Sequence, residues 1–278
     1  MRIRPSDLFA QRTWGTVDIN RLVRLIAISR KYEFEDFRDW SWNLLHKHIT
    51  GNPGELLPRC GWQHLERLLN LCYDCQQPQL AQHIEKEWID RIQTSGVGAS
   101  CAALEAALDT AERSSYLRHF HGRAYYAYLK AVGAFQPGPA LKIGETMGQA
   151  GISLSSFNDQ RKLRLVQGFW SLVQLRLRLI AAPEIDPNPS CSHHTGECAP
   201  GWNGWWKETT EGIKTPSCDP SEFLQEIEKR LPRSGSLFVS NRAARAIYVY
   251  CSATLRARVQ QMSSTFLDNI ADHFMIPP

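Results

Sequence analysis

The stretch that decides the fold runs from Asn158 to Ala182 and reads NDQRKLRLVQGFWSLVQLRLRLIAA. Its apolar residues recur three and four positions apart, which is the spacing of one face of an α-helix. One row consists of Leu163, Val166, Trp170, Val173, Leu177 and Ile180. A second row, which widens the apolar surface, consists of Leu165, Phe169, Leu172 and Leu179. Because a helix that is apolar so far round is typically buried, we predict that this helix is central and that its first row faces the core.

Helical patterns continue on both sides of this stretch. Further helices are predicted at 62–73, 79–92, 101–111 and 116–132. The pair Asp219-Pro220 suits the N-cap and the first turn of another helix. The sequence shows no alternating strand pattern, no βαβ order and no repeat of fixed period. It therefore predicts an all-α fold, an irregular multi-helix bundle with a long buried central helix.

Two segments interrupt the helical patterns. The segment 94–100, TSGVGAS, is rich in Gly and Ser, and the segment 183–190, PEIDPNPS, is rich in Pro. We therefore predict a first region at 1–93 and a helical second region at 94–278, with a Cys/His loop at 183–206. One continuous domain is the alternative.

Composition limits the classes of partner. The chain has 278 residues, is 43% hydrophobic and contains 9 Trp, 11 Phe and 8 Tyr, which is enough apolar surface for a folded core. A net charge of +4 is too small to indicate nucleic acid as a partner. The most apolar run, 166–182, is interrupted by charged and amide residues, so we expect no membrane partner. The oligomeric state stays open.

The eight cysteines and the first residues of the chain bear on localisation. The beginning, MRIRPSDLFAQRTWG, has no apolar core of the kind that a secretory signal peptide needs. Cysteines without such a signal are typical of thiols or metal ligands in a reducing compartment. We therefore expect a cytoplasmic or nuclear protein.

Motifs of common enzyme classes are absent. The sequence contains no GxGxxG, GxxxxGK[ST], HExxH or GxSxG, so we assign no catalytic residue and no residue that binds an organic cofactor. The run from Glu35 to Asp39 has the spacing of a DDxxD-type magnesium motif, with Glu in the first place. Aromatic residues such as Tyr125, Tyr126 and Trp170 would line a cavity in such an enzyme. An enzyme with an aromatic-lined cavity in an all-helical fold is therefore the alternative function.

A cluster of metal-ligating residues lies in the segment 191–198, CSHHTGEC. Structural zinc sites use four Cys or His ligands in a tetrahedron. The loop has few apolar residues of its own, so that metal binding would supply the free energy that orders it. The candidate ligands are Cys191, His193, His194, Cys198 and Cys218. We predict a structural zinc site here, with the three tryptophans of the following segment GWNGWWKE turned inward; a polar surface loop is the alternative.

The segment 22–45, LVRLIAISRKYEFEDFRDWSWNLL, resembles the closing helices of a BTB/POZ domain, in which a Lys-Tyr turn joins two antiparallel helices. The matching positions are Leu22, Leu25, Ala27, Lys31, Tyr32, Glu33, Phe34, Phe37, Arg38, Trp42 and Leu45. Later segments are similar to the helical extension of BTB-containing proteins of mushroom-forming fungi: LERLLNLCYDCQQPQLAQHIEKEWIDRI, QGFWSLVQLRLRL and GWNGWWKE. The β-rich first half of such a domain has no counterpart before Arg21. The resemblance implies an intracellular, non-catalytic scaffold or adaptor whose partners are other proteins.

Overall fold

The computed structural model describes residues 19–51, 57–95, 97–136, 157–184, 191–213, 217–231, 238–239, 246–247 and 249–276. Helices account for most of these residues, which confirms the predicted all-α fold. The chain forms two compact units, Met1–Tyr116 and Leu117–Pro278. The division therefore follows Tyr116, whereas the Gly/Ser segment indicated one after residue 93. Of the predicted Cys/His loop at 183–206, residues 185–190 lie outside the described part.

The first unit is built from helices that pack on their neighbours along the chain. Its described helices are α1 (Ile19–Lys31), α2 (Glu35–Gly51), α3 (Trp62–Asp74), α4 (Pro78–Thr94) and α5 (Val97–Glu112). Short 3-10 turns lie at Leu57–Arg59 and Ser115–Leu117. Between α1 and α2 the chain turns within three residues, and Glu33 takes a left-handed backbone conformation there with φ of 56°. The amphipathic pattern of each helix thus places one face in a common core.

Two side chains connect the elements of the first unit. Trp88 is fully buried on α4, and its indole N–H donates to the carbonyl of Ala103, 3.0 Å away on α5. The guanidinium of Arg91 lies over the ring of Trp62 and donates to the carbonyls of Leu57 and Cys60. Arg91 thereby ties the turn before α3 to α4, adding to the bond that the Leu57 carbonyl already accepts from the N–H of Cys60 at 2.9 Å.

The second unit contains the remaining elements. Its described helices are α6 (Arg118–Ala131), α7 (Asp159–Arg178), α8 (Ala199–Gly212), α9 (Pro220–Arg230), α10 (Val249–Asp268) and α11 (Ile270–His273), with a π-helical turn at His194–Cys198. In this part of the chain, the only strands that the structure describes are β1 (Phe238–Val239) and β2 (Ala246–Ile247). They pair antiparallel, with Phe238 opposite Ile247. No helix among the described residues has the length and hydropathy that a membrane crossing needs.

The central helix of the second unit is α6, and the prediction that the Asn158–Ala182 helix occupies this place is wrong. Nine of the α6 residues are buried: Phe120, His121, Gly122, Ala124, Tyr125, Tyr126, Ala127, Tyr128 and Leu129. Its glycine makes part of this burial possible, because the backbone of Gly122 lies directly against Ala271 of α11. A short helix that is buried on almost every side is thus the core element.

The helix α7 is buried on one face only, and that face is the second apolar row. Leu165, Phe169 and Leu172 are buried, as is Gly168, on which the ring of Phe274 rests. The first row, which we predicted to face the core, is instead exposed. Five of its members are between 41% and 60% exposed: Leu163, Val166, Trp170, Leu177 and Ile180. The missing side chain of Gly168 is the physical reason, since it makes the second row the face on which an aromatic ring fits closely.

A buried polar cluster joins α6 to the start of α9. Asp219 is fully buried, and its carboxylate accepts the N–H of Ser221 at 2.8 Å, as predicted for an N-cap. The same carboxylate accepts the Tyr126 hydroxyl at 2.5 Å and forms an ion pair with Lys130, 3.2 Å away. Burial and the nearby carboxylate raise the pKa of Tyr126. The lysine therefore balances a charge that would otherwise stand alone in the core.

Candidate metal centre

The loop that carries the Cys/His cluster folds into the π-helical turn that leads directly into α8. The N–H of Cys198 donates to the carbonyl of His193, five residues back, at 3.1 Å. The N–H of His194 donates to the carbonyl of Cys191 at 3.4 Å. These bonds fold the eight-residue segment back on itself. As a result, the Sγ atoms of Cys191 and Cys198 are 3.7 Å apart.

A third cysteine reaches the same place from much later in the chain. Cys251 lies in the first turn of α10, and its sulfur is within 4.8 Å of both Cys191 and Cys198. The strands β1 and β2 contact α8, and β2 also contacts the π-helical turn. This places the start of α10, two residues after β2, beside the loop. All three cysteines are buried. Together they form a group that could hold a metal ion, which we call the cysteine trio.

His194 contacts the cysteine trio. Its ring is buried, and its Nδ1 atom lies 3.4 Å from the Sγ of Cys251. Imidazole nitrogen and thiolate sulfur are the ligands that structural zinc sites combine. His194 therefore offers a ring nitrogen beside one of the three sulfurs, that of Cys251.

The distances agree with a tetrahedral metal shell. With metal–sulfur bonds of about 2.3 Å, two sulfurs of a tetrahedral zinc site lie about 3.8 Å apart, and the Cys191–Cys198 distance is 3.7 Å. With a metal–nitrogen bond of about 2.0 Å, a sulfur and a nitrogen lie about 3.5 Å apart. The Cys251–His194 distance is 3.4 Å. Each of these two pairs thus stands at a separation that adjacent ligands of one ion have, and the atoms that all lie within 4.8 Å of one another are the three cysteine sulfurs, without His194.

The protonation of the thiols depends on their neighbours. Burial, with smaller effects of the two adjacent sulfurs in the same direction, raises the pKa of Cys251 to about 12. At Cys191 burial acts in the same sense, but hydrogen bonds from the His193 backbone and from Cys251 and Cys198 outweigh it and lower the pKa. The pKa values of Cys191 and Cys251 are therefore shifted in opposite directions. A divalent cation would favour all three thiolates, because it removes the repulsion between them.

The structure brings together Cys191, His194 and Cys198 of the five ligands that the sequence predicts. His193 points away: it is half-exposed, and its Nδ1 is 3.4 Å from the Glu197 carboxylate. Cys218 lies elsewhere, where its N–H donates to the carbonyl of Phe135 at 2.8 Å. We therefore remove His193 and Cys218 from the candidate set and add Cys251. Spacing alone could not have found Cys251, because it is 57 residues from His194 and has no metal-binding pattern around it.

The tryptophans of α8 anchor the cluster to the rest of the unit. Trp202 and Trp206 are fully buried, and Trp205 stacks on Trp202. The indole N–H of Trp202 donates to the carbonyl of Pro183 at 3.0 Å. That of Trp206 donates to the carbonyls of Leu179 and Ile180 at 3.2 and 3.1 Å. The helix that continues the Cys/His loop therefore contacts the C-terminal end of α7.

Comparison with known proteins gives no relative. No protein-family model matches the chain, and no curated protein and no solved structure shows a significant match. The resemblance to BTB/POZ proteins therefore stays a prediction from the sequence, and the function has to be argued from the structure's own chemistry.

Proposed function

We propose that this chain is an intracellular, non-catalytic scaffold or adaptor that binds other proteins and that its second unit is stabilised by a structural zinc ion. The observation that carries the binding role is the exposed first row of α7, where five large apolar side chains are at least 41% exposed. Apolar surface of this size on one helix is typical of an interaction site. The resemblance of α1 and α2 to the closing helices of a BTB/POZ domain supports the same role.

The donor set supports zinc in the cysteine trio. Three thiolates and one imidazole form a Cys₃His shell, and sulfur-rich tetrahedral sites select zinc over magnesium or calcium. The three cysteine sulfurs lie within 4.8 Å of one another, and His194, whose Nδ1 is 3.4 Å from the sulfur of Cys251, would supply the fourth ligand. With that ligand in place, no position would remain for a substrate or a catalytic water. We therefore assign the ion a structural role. It would fix the loop to α10 and contribute its binding free energy to folding.

Intracellular localisation is supported by the cysteines. All eight have free thiols, although Cys191 and Cys198 lie close enough to react with each other. Thiols at this distance stay reduced in a reducing compartment or when a metal binds them.

The enzyme alternative receives no support from the residues that suggested it. Glu35, Asp36 and Asp39 are exposed on α2. Tyr125 and Tyr126 are buried against other core aromatics, whereas Trp170 is exposed. These side chains do not line a common cavity, so we do not propose an enzyme.

The zinc assignment is tested by metal analysis of untagged protein with two matched pairs of variants. We expect about one zinc per chain in the wild type, a loss in Cys251→Ser and no change in Cys218→Ser. His194→Ala should weaken zinc binding, whereas His193→Ala should not. A chelator should lower the melting temperature of the wild type. Protein with no bound zinc and no response to the chelator would contradict the assignment.

The binding role is tested by affinity capture from cell lysate. Wild-type protein should retain one or more proteins reproducibly, and a Trp170→Glu/Leu177→Glu variant should lose them. Leu267→Glu is the control, because Leu267 is a similarly exposed leucine on α10. If no protein depends on the first row of α7, the binding role is wrong.

A further inference from the structure

The exposed row on α7 has a regular spacing. Leu163, Val166, Trp170, Val173, Leu177 and Ile180 alternate by three and four positions without interruption. This is the spacing of the a and d positions of a coiled coil over three heptads. All but the half-buried Val173 are exposed. At about 1.5 Å per residue the row is about 26 Å long, and we call it the α7 seam.

The seam is rigidly presented. The opposite face of the same helix is packed through Leu165, Phe169 and Leu172, all buried. At its start, the side chain of Asn158 accepts the N–H of Arg161, and at its end Trp206 binds two carbonyls. A partner would therefore meet a preformed helix and would lose little affinity to ordering it.

The width of the seam selects the kind of surface that fits it. Strict three–four spacing gives a narrow apolar stripe, which matches the a and d stripe of one other helix. Helices that lie on membranes have a broad apolar face instead. The shape of the seam therefore favours a helical protein partner over a lipid surface.

The charges on α7 indicate which residues a partner helix should carry beside its apolar stripe. The helix α7 has one acidic residue, Asp159, against five basic ones: Arg161, Lys162, Arg164, Arg176 and Arg178. The basic residues lie near both ends of the seam, where Lys162 also lies 3.2 Å from Asp159 and the guanidinium of Arg176 lies over the ring of Phe223. At the C-terminal end the exposed cation is therefore Arg178. A second copy of the chain would thus bring basic residues against basic residues in parallel and in antiparallel pairing alike. An acidic helix is complementary in both orientations.

We infer that the α7 seam binds an acidic amphipathic helix of a partner protein, with Leu or Ile at three–four spacing and Glu or Asp beside that stripe. This inference rests on the proposed binding role and adds the class of partner. Flanking charges set partner choice and orientation in helix pairs, so acidic flanks would select this partner over a neutral or basic one.

Two synthetic peptides of three heptads test the inference with the full-length chain. Both have Leu and Ile at a and d, one has Glu at e and g, and the matched peptide has Lys there. We expect fluorescence anisotropy at 0.15 M salt to show the Glu peptide binding at least about tenfold more tightly, with a difference that shrinks at high salt. Trp170→Ala and Leu177→Ala should each weaken binding about tenfold, whereas the control Leu267→Ala should not.

Other results would overturn the inference. Equal binding of the two peptides, or binding that Trp170→Ala does not change, would show that acidic helices are not the ligand. Dimerisation of the chain that Trp170→Ala abolishes would assign the seam to a second copy. Trp170-dependent binding to phosphatidylserine vesicles without peptide binding would assign it to a membrane. If lysate capture succeeds while both peptides fail, the binding role stands and only the partner class is wrong.

Discussion

Gly122 lies so close to Ala271 that a Cβ atom on the glycine would stand 2.5 Å from the Cα atom of Ala271. The obstacle is backbone, which cannot rotate away as the end of a side chain can. Gly122→Ala should therefore push α6 and α11 apart and destabilise the protein by about 2–3 kcal/mol. Chemical denaturation measures this. The control is Gly51→Ala at the end of α2, where an added Cβ meets nothing within 4 Å.

Truncation of two tryptophans of the second unit should lower the free energy of unfolding by very different amounts. Trp202→Ala removes a fully buried indole that also donates a hydrogen bond, and we expect a loss of about 3–5 kcal/mol. Trp170→Ala removes an indole that is 60% exposed, so its effect should stay below about 1 kcal/mol. Thermal or urea unfolding of the two variants compares them directly. A large loss of stability in Trp170→Ala would show that the α7 seam is part of the core.

The charge balance at Asp219 gives a third prediction. Lys130→Met leaves a fully buried carboxylate without its cation and should destabilise the protein by about 3–5 kcal/mol. Lys130 also lies 3.7 Å from Glu222, but that carboxylate is 38% exposed. Glu222→Gln should therefore change stability by less than about 1 kcal/mol. Equal effects of the two substitutions in denaturation would mean that the lysine does not stabilise Asp219.

A fourth prediction concerns pH and the buried thiol of Cys72. Burial, with a smaller effect of Cys75, raises the pKa of Cys72 from 9.0 to about 12. Because the folded state keeps the proton that the unfolded state loses, this contribution is complete below pH 9 and is lost between pH 9 and 12. Stability should then fall by about 1.4 kcal/mol per pH unit in that window.

Urea unfolding between pH 8 and 11 measures this slope. Cys72→Ala should remove the part of this decrease in stability that ionisation of the one thiol causes. The substitution itself lowers stability at every pH. Cys101→Ala, a half-buried cysteine of the same unit, is the comparison. Parallel pH profiles for wild type and Cys72→Ala would show that the thiol ionises as readily in the folded state as in the unfolded state, against the assignment.

The sequence was sufficient to predict the helices but not which face of α7 is buried. Helical spacing is a local property, and both apolar rows of α7 have it. The choice between them depends on Gly168, against which the ring of Phe274 packs, and Phe274 directly follows α11, more than a hundred positions later. No sequence pattern within α7 indicates that contact, so helical spacing alone favours the larger row as the buried one.

The candidate metal centre could likewise be predicted only in part from the sequence. Cys191, His194 and Cys198 belong to one short segment, whose composition alone indicates metal binding. The selection of His194 over His193 depends on the π-helical turn, which directs the two adjacent rings to different sides. Cys251 arrives with α10 and is found only when the fold is known.

The indole of Trp206 has a consequence for how the chain assembles during synthesis. α7 begins with a cap from its own neighbourhood, the side chain of Asn158, so its first turn can form as soon as it leaves the ribosome. The carbonyls of Leu175, Leu177 and Arg178 in its last turn accept N–H groups of the residues that follow, so they too are satisfied locally. The carbonyls of Leu179 and Ile180, which lie after the helix, accept from the indole of Trp206, 26 residues beyond Ile180. The turn after α7 therefore gains these hydrogen bonds only once α8 has been translated and has folded back. Among the described elements, translation thus completes α7 before it fixes the turn that follows the helix.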